Sequence, residues 1–253
     1  MDQDKRLHRT IPLAMRLSMR SACPYIDGQT EQRIAVDIQF NPDNHDTLAR
    51  AGFRRVENWV YRPACPNCNA CTPWRVDVAG FAPSRNMARI KKANQDLRRT
   101  VTGLSPTAAH YKLFKAYVTS RHDIGQMAQM DRDDFISMIT NSPIETVLIN
   151  YHDRDDNLVA VALVDIQSDG LSAVYSFFTP DAPQRSLGTF IILDLLTMAQ
   201  ETDLPWVYLG YYVQKSRKMV YKSRFHPAQI YKDGEWIAYS PPRLGTTKKE
   251  AVK

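Results

Sequence analysis

Three cysteines recur at equal spacing in PACPNCNACTPW, as Cys65, Cys68 and Cys71, and a fourth stands apart at Cys23. Four thiolates suffice for a tetrahedral zinc ion or an iron–sulfur cluster. Zinc sites more often join two separated cysteine pairs, however, and Pro66, Asn67 and Asn69 are turn formers able to pack small thiols against a cleft wall without any metal. Both readings stand at this level, and neither gives the sulfurs a catalytic step. A second chemistry is written in YLGYYVQKSRKMVYKSRFHP, residues 208–227, where Tyr208, Tyr211, Tyr212, Tyr221 and Phe225 alternate with Lys215, Arg217, Lys218, Lys222 and Arg224. Such a stretch suits a flexible nucleic acid, whose bases stack on rings while its phosphates pair with cations; the same rings also suit the packing of a sheet. A third candidate is Asp165, a carboxylate at the end of the apolar run LVAVALV. That placement is costly unless the group lines a cleft, finds a partner or faces water at a strand end.

The elements that must position these residues fall into two parts. Residues 1–103 read as a small, turn-rich unit holding the cysteines, with a strand through Ile34, Val36 and Ile38, a short helix from Asp46 to Ala51, and strands at Glu57–Tyr61 and Trp74–Val78. Ser84 is a plausible N-cap for a helix whose Arg85, Arg89, Lys92 and Arg99 share one cationic face. Gly103–Pro106 is the expected boundary. Residues 104–240 then give a helix through Tyr111, Phe114, Tyr117 and Val118, a second capped by Asp131, and three strands, Glu145–Tyr151, Leu158–Ile166 and Leu171–Thr179, in an antiparallel meander. A helix from about Arg185 to Glu201, a strand at Trp206–Leu209, a helical stretch at Ser216–Tyr221 and a hairpin through Gly234 follow. The fold class is α/β (α+β), a mixed sheet with flanking helices. Residues 241–253 are expected to be a disordered tail.

Charge narrows the partners. The 253 residues carry a net charge of +6, yet residues 81–100 hold six basic side chains against Asp96 alone, and residues 211–226 hold five unopposed. The remainder is therefore acidic, and concentrated positive charge on such a body points to a polyanion or, more plainly, to two solvated basic faces. No apolar stretch approaches the roughly 18 residues that a membrane helix needs. MDQDKRLHRT lacks an apolar signal core and the cysteines are too clustered for a disulfide framework, so a cytoplasmic protein with no membrane partner is expected.

CPYIDGQTEQR, AGFRRVENWVYRPACPNCNACTPWRV, VDIQSDGLSAVYSFFTPD, RSLGTFIILDLL and YLGYYVQKSRKMVYKSRFHP together resemble the arginyl-tRNA–protein transferase family, in particular its bacterial branch of aspartate/glutamate leucyltransferases. The likeness spans about Cys23 to Tyr239. It implies a GNAT-like second half and a reaction in which an amino acid, leucine in this branch, leaves aminoacyl-tRNA for the N-terminal amine of a protein beginning with Asp or Glu, marking that protein for degradation. Cluster binding among distant relatives keeps a metal at the cysteines in view.

Under that resemblance the residues acquire roles. The donor is an activated ester, so the site needs orientation, a base and oxyanion stabilisation, and no cofactor is required for transfer. Asp165 is the leading base, and the Tyr175 hydroxyl could serve the oxyanion. Arg75, with Arg54 and Arg85 behind it, is the candidate for the acidic side chain of the acceptor, because a guanidinium meets a carboxylate through two hydrogen bonds. The N–H groups at Arg185, Ser186 and Gly188 suit a phosphate of the tRNA end, with Tyr212, Lys218, Tyr221, Lys222, Arg89 and Lys92 as further contacts. Thr189 and Phe190 follow Gly188 where the coenzyme A turn of GNAT enzymes wants another small residue. That departure disfavours the rival reading of a coenzyme A-dependent N-acetyltransferase; the other rival is a non-catalytic RNA-binding protein.

Overall fold

The computed structural model describes residues 13–121 and 126–240; the tail expected at 241–253 lies outside them. Near the N-terminus a four-stranded sheet runs in the order β1 (Met15–Leu17), β4 (Arg33–Asp37), β6 (Trp59–Pro63), β5 (Arg54–Val56), with a ribbon of β2 (Ser21–Ala22) and β3 (Thr30–Glu31) and the short helix α1 (His45–Arg50) beside it. A second sheet of eight strands has the order β14 (Glu235–Ala238), β13 (Ala228–Lys232), β7 (Thr72–Asp77), β12 (Trp206–Tyr212), β11 (Gly170–Phe178), β10 (Leu158–Gln167), β9 (Thr146–His152), β8 (Arg98–Thr102). Among the described residues its one parallel pair is β11 with β12. The mixed α/β class read from the sequence is therefore the observed one.

Helices cover both faces. On one, α2 (Arg85–Ala93) and α6 (Leu187–Glu201) bury Met87, Phe190, Ile191 and Leu195 with Trp74, Val164 and Val207. On the other, α3 (Ala108–Arg121), α4 (Gln126–Gln129) and α5 (Arg132–Thr140) pack Phe114, Phe135 and Ile139 against Leu163 and Phe177. The alternation along β10 serves both cores: Ala160, Ala162 and Val164 enter the first and Val161 and Leu163 the second, which is why that strand reads as one apolar run. Local signals start the helices where expected: the Ser84 hydroxyl accepts from the Met87 N–H, and Asp131 and Asp134 form a reciprocal capping box at α5.

Two expectations change. The cationic helix stops at Ala93, and Arg98–Thr102 becomes the edge strand β8 paired with β9, so Arg99 leaves that helix face and binds Asp194 and Glu201 instead. The side-chain amide of the following Asn94 donates to Ile90 O and Arg185 O, ending the helix by competing for its backbone. Second, β7 and β8 precede the boundary expected at residue 103 yet lie within the large sheet, so the cysteine loop leads directly into a central strand.

Candidate active site

The parallel pair β11 and β12 is joined only from Gly170–Ser172 to Trp206–Tyr208. Beyond that the strands part. Val174 is bulged against β10, since Leu163 pairs with Tyr175 and Val164 with Ala173, so two successive β11 carbonyls are freed toward the gap. Arg54 from β5 enters there and donates Nη2 to both Ala173 O and Val174 O. A side chain thus satisfies backbone groups that β12 would otherwise have paired. Across the gap Gly210 has φ +70, and a Cβ on it would lie 2.1 Å from Arg54 Nη1. Glycine is required there on both counts. Among the described residues Arg54 has no carboxylate partner.

Lys222 reaches the same gap from a short 3-10 segment, Val220–Arg224, that follows β12. It is 4% exposed and donates Nζ to Tyr211 O at 2.5 Å. Burial, with the Arg54 cation adding to it, brings its ammonium down to about 7. The cysteine loop closes one side. Burial and the neighbouring thiols of Cys23, Cys65 and Cys68 push Cys71 up to about 12, leaving it a neutral thiol at pH 7. The far wall is aromatic: Tyr117 of α3 packs on Phe178 with centroids 4.9 Å apart, and burial, reinforced by Tyr117, holds the Tyr175 hydroxyl well above its usual range. α6 begins here, after Ser186 in a left-handed turn (φ 50); a Cβ on Gly188 would come within 3.1 Å of the Phe178 ring, so a small residue lets the helix start press against the end of β11.

The family models described as arginine-tRNA-protein transferase, N terminus and C terminus, match residues 21–89 and 109–232. A protein of Paramagnetospirillum magneticum named aspartate/glutamate leucyltransferase is 43% identical over 221 residues, covering 87% of this chain and 91% of its own. One of the same name from Cereibacter sphaeroides is 42% identical, covering 93% of this chain and 88% of its own. The chain belongs to the arginine-tRNA-protein transferase family. Among solved structures, L-PGS from Bacillus licheniformis aligns with TM-score 0.47 and 10% identity over 62% of this chain and 56% of its own. A GCN5-related glucosamine N-acetyltransferase region in a fungal multi-domain enzyme aligns with TM-score 0.40 and 7% identity over 75% of this chain and 22% of its own.

The transferase gathers part of the expected set at the gap: Arg54, Gly188, Tyr221, Lys222 and the cysteine loop. Tyr175 packs its ring beside Phe114 and Phe177, toward α3. Others it uses differently. Asp165 is fully buried, held by Arg55 Nε at 3.0 and 2.9 Å, by Arg55 Nη2 at 2.6 Å and by the Thr146 hydroxyl at 2.8 Å. With its lone pairs so occupied it faces no cleft, and it acts as the buried partner of Arg55 and not as the expected base. Arg75 lies between the rings of Trp206 (3.8 Å) and Trp236 (4.3 Å) and donates to Gln229 and the Tyr208 hydroxyl, so its fork is committed to the core of the β7–β13 region and not to an incoming carboxylate. Arg185 is likewise engaged, bidentate to Asp96 at 3.0 and 2.8 Å. Tyr212 is buried against Trp74 and Tyr239, out of reach of a nucleobase. Lys222, expected on a phosphate, is instead internal. Ser186, Lys218, Tyr221, Arg89 and Lys92 are exposed, as contacts to a large anion require, and Arg85, expected behind Arg75 on the acceptor carboxylate, is exposed at the start of α2.

At the cysteines the four thiols share a neighbourhood, but among the described residues no group of three or more His, Cys, Asp or Glu is placed to hold a metal ion. Cys65 Sγ accepts from Gln32 N at 3.5 Å, the behaviour of a packed thiol in a turn. As arranged among the described residues, the thiols do not form a metal-binding group.

Sequence reasoning missed Arg55 as the partner of Asp165 and Gly210 as the point where Arg54 closes on the backbone. The second had a signal: a glycine inside the strand run VYLGYY marks a bulge or a close backbone approach.

Proposed function

We propose that this transferase moves leucine from leucyl-tRNA to the N-terminal α-amine of proteins that begin with Asp or Glu, creating a degradation signal. The observation that carries the reading is the near full-length likeness to proteins named aspartate/glutamate leucyltransferase, 43% identical over 87% of the chain. The gap between β11 and β12 supports it chemically. Arg54, fixed by two carbonyls and lacking a carboxylate of its own, offers its remaining N–H groups to the acidic side chain of the acceptor. The Tyr175 hydroxyl and the backbone N–H groups at the start of α6 supply donors for the oxyanion formed when the amine attacks the leucyl carbonyl. The exposed cations Lys218, Arg89 and Lys92 meet the tRNA.

No cofactor enters, because the ester is already activated and an α-amine of reference pKa about 7.7–8.0 is partly neutral at pH 7. Among the described residues no helix is long and apolar enough to cross a membrane, and we place the reaction in the cytoplasm, where charged tRNA is available.

The test supplies purified enzyme with tRNA carrying labelled leucine or arginine and with peptides beginning with Asp, Glu or Ala. Label from leucine on the Asp and Glu peptides alone is expected, and Arg54→Gln should abolish the preference for those peptides while leaving tRNA binding intact. Preferred transfer of arginine, or equal labelling of the Ala peptide, would overturn the reading.

A further inference from the structure

An ammonium group has three N–H donors and, inside a protein, needs acceptors for all of them or a carboxylate to balance its charge. Lys222 has neither. Among the described residues its Nζ makes one hydrogen bond, to Tyr211 O at 2.5 Å. The groups facing it come from four elements, and none is an anion. Arg54 approaches from β5 as a cation, and Cys71, from the loop before β7, is kept protonated. The Tyr211 hydroxyl of β12 is turned away, donating to Gly52 O and Tyr61 O, and the ring of Tyr221 lies with its centroid 6.0 Å from Nζ.

A lysine so placed is unsuited to phosphate binding. It is suited to being a neutral amine, which keeps one N–H on the Tyr211 carbonyl and retains a free lone pair. Its position adds to this. Phe225, directly after the segment that carries it, is buried in the core of the large sheet. Lys222 Nζ is held at Tyr211 O, next to Gly210, and Arg54 enters from the four-stranded sheet to the carbonyls of Ala173 and Val174, where β11 and β12 part, so its cation bears on the lysine.

We propose that Lys222 is the proton acceptor for the attacking α-amine. The inference rests on the transfer reaction proposed above and adds a residue to it. The neutral amine of the acceptor attacks the leucyl carbonyl carbon, forming the C–N bond and leaving a second proton on that nitrogen. Lys222 Nζ takes this proton. As the ester C–O bond breaks, the lysine ammonium returns the proton to the departing ribose oxygen of the tRNA, and Lys222 is neutral again. Atoms and charge balance, and no further reactant is needed. Burial sets the lysine near 7, where a group that must both take and give a proton at neutral pH is most effective.

The experiment measures single-turnover transfer of labelled leucine from leucyl-tRNA to an Asp-starting peptide between pH 5.5 and 9 for wild type, Lys222→Ala, Lys222→Arg and Lys222→Met. Lys222→Ala should lower the transfer rate about 100-fold or more, with tRNA affinity and the peptide concentration dependence changed by less than about threefold. It should also lose the acidic limb near pH 7 that wild type shows in addition to the titration of the peptide's own amine. Ethylamine should restore labelling of the peptide to Lys222→Ala by about tenfold or more, and Lys222→Arg, always charged, should stay inactive. Lys222→Met keeps the buried volume, so a variant that unfolds like wild type in urea yet fails to transfer excludes simple misfolding. A folded Lys222→Met or Lys222→Ala that transfers at the wild-type rate with the wild-type pH profile, or one that loses tRNA affinity in place of rate, would overturn the role of Lys222 alone. Wild-type enzyme that moves no leucine to the acidic peptide would remove the transfer reading itself, and this role with it.

Discussion

At Gly210 two independent constraints meet: a left-handed backbone and an arginine guanidinium where a Cβ would sit. Gly210→Ala cannot relieve either by a rotamer change of its own. It should therefore cost about 1–2 kcal/mol from the backbone alone, seen as a lower urea midpoint, and should push Arg54 off the Ala173 and Val174 carbonyls. In a peptide assay the variant is expected to lose its preference for Asp and Glu over Ala well before it loses activity on charged tRNA. Retained preference would mean that Arg54 can reach the acceptor from another position. Arg54 and Arg75 also show how little residue type alone decides. Both are arginines beside aromatic strands, yet one is closed between two tryptophans and the other is left with open donors.

Among the elements, β5 and β10 are fastened by the Arg55–Asp165 pair, which joins the four-stranded sheet to the eight-stranded one. Removing one partner leaves a buried charge with no compensation, so Asp165→Ala should cost about 3–5 kcal/mol of stability. Any activity of the fraction that stays folded should keep the wild-type pH profile, whereas a catalytic base would show an altered profile at unchanged stability. Denaturant unfolding and pH–rate curves on the same preparation separate the two. The sequence pattern found nearly every element of the large sheet because β10, β11 and α6 are long and strongly apolar, and it found the caps at Ser84 and Asp131 because those are local hydrogen bonds. It carried the cationic helix too far. Thr100, Val101 and Thr102 are β-branched, but the partner that turns them into a strand, β9, is some fifty residues away.

Over the whole molecule each basic stretch can be traced to its place in the fold. α2 ends beside Arg185, just before α6, tied there through Asn94 and Asp96, and residues 215–224 follow the splayed end of β12. A long anionic ligand that contacts both should displace counterions from both. Lys218→Ala, at an exposed position, should reduce the slope of log affinity for tRNA against log salt by about 0.7–0.9 while leaving the response to Asp and Glu peptides unchanged. Binding across a sodium chloride series reads this directly, and an unaltered slope would take Lys218 out of the interface.

Taken alone, the sequence determined the family, the mixed layered architecture, the net charge of each basic stretch and the presence of a thiol cluster, because composition, periodicity and long composite motifs are properties of neighbours along the chain. Which of several arginines stays open, which carboxylate is buried in an ion pair, and which lysine loses its water were decided only when β5, β10, β12 and the segment after it came together. Desolvation and pairing depend on what surrounds a charge in space, and those surroundings come from residues tens to more than a hundred positions away.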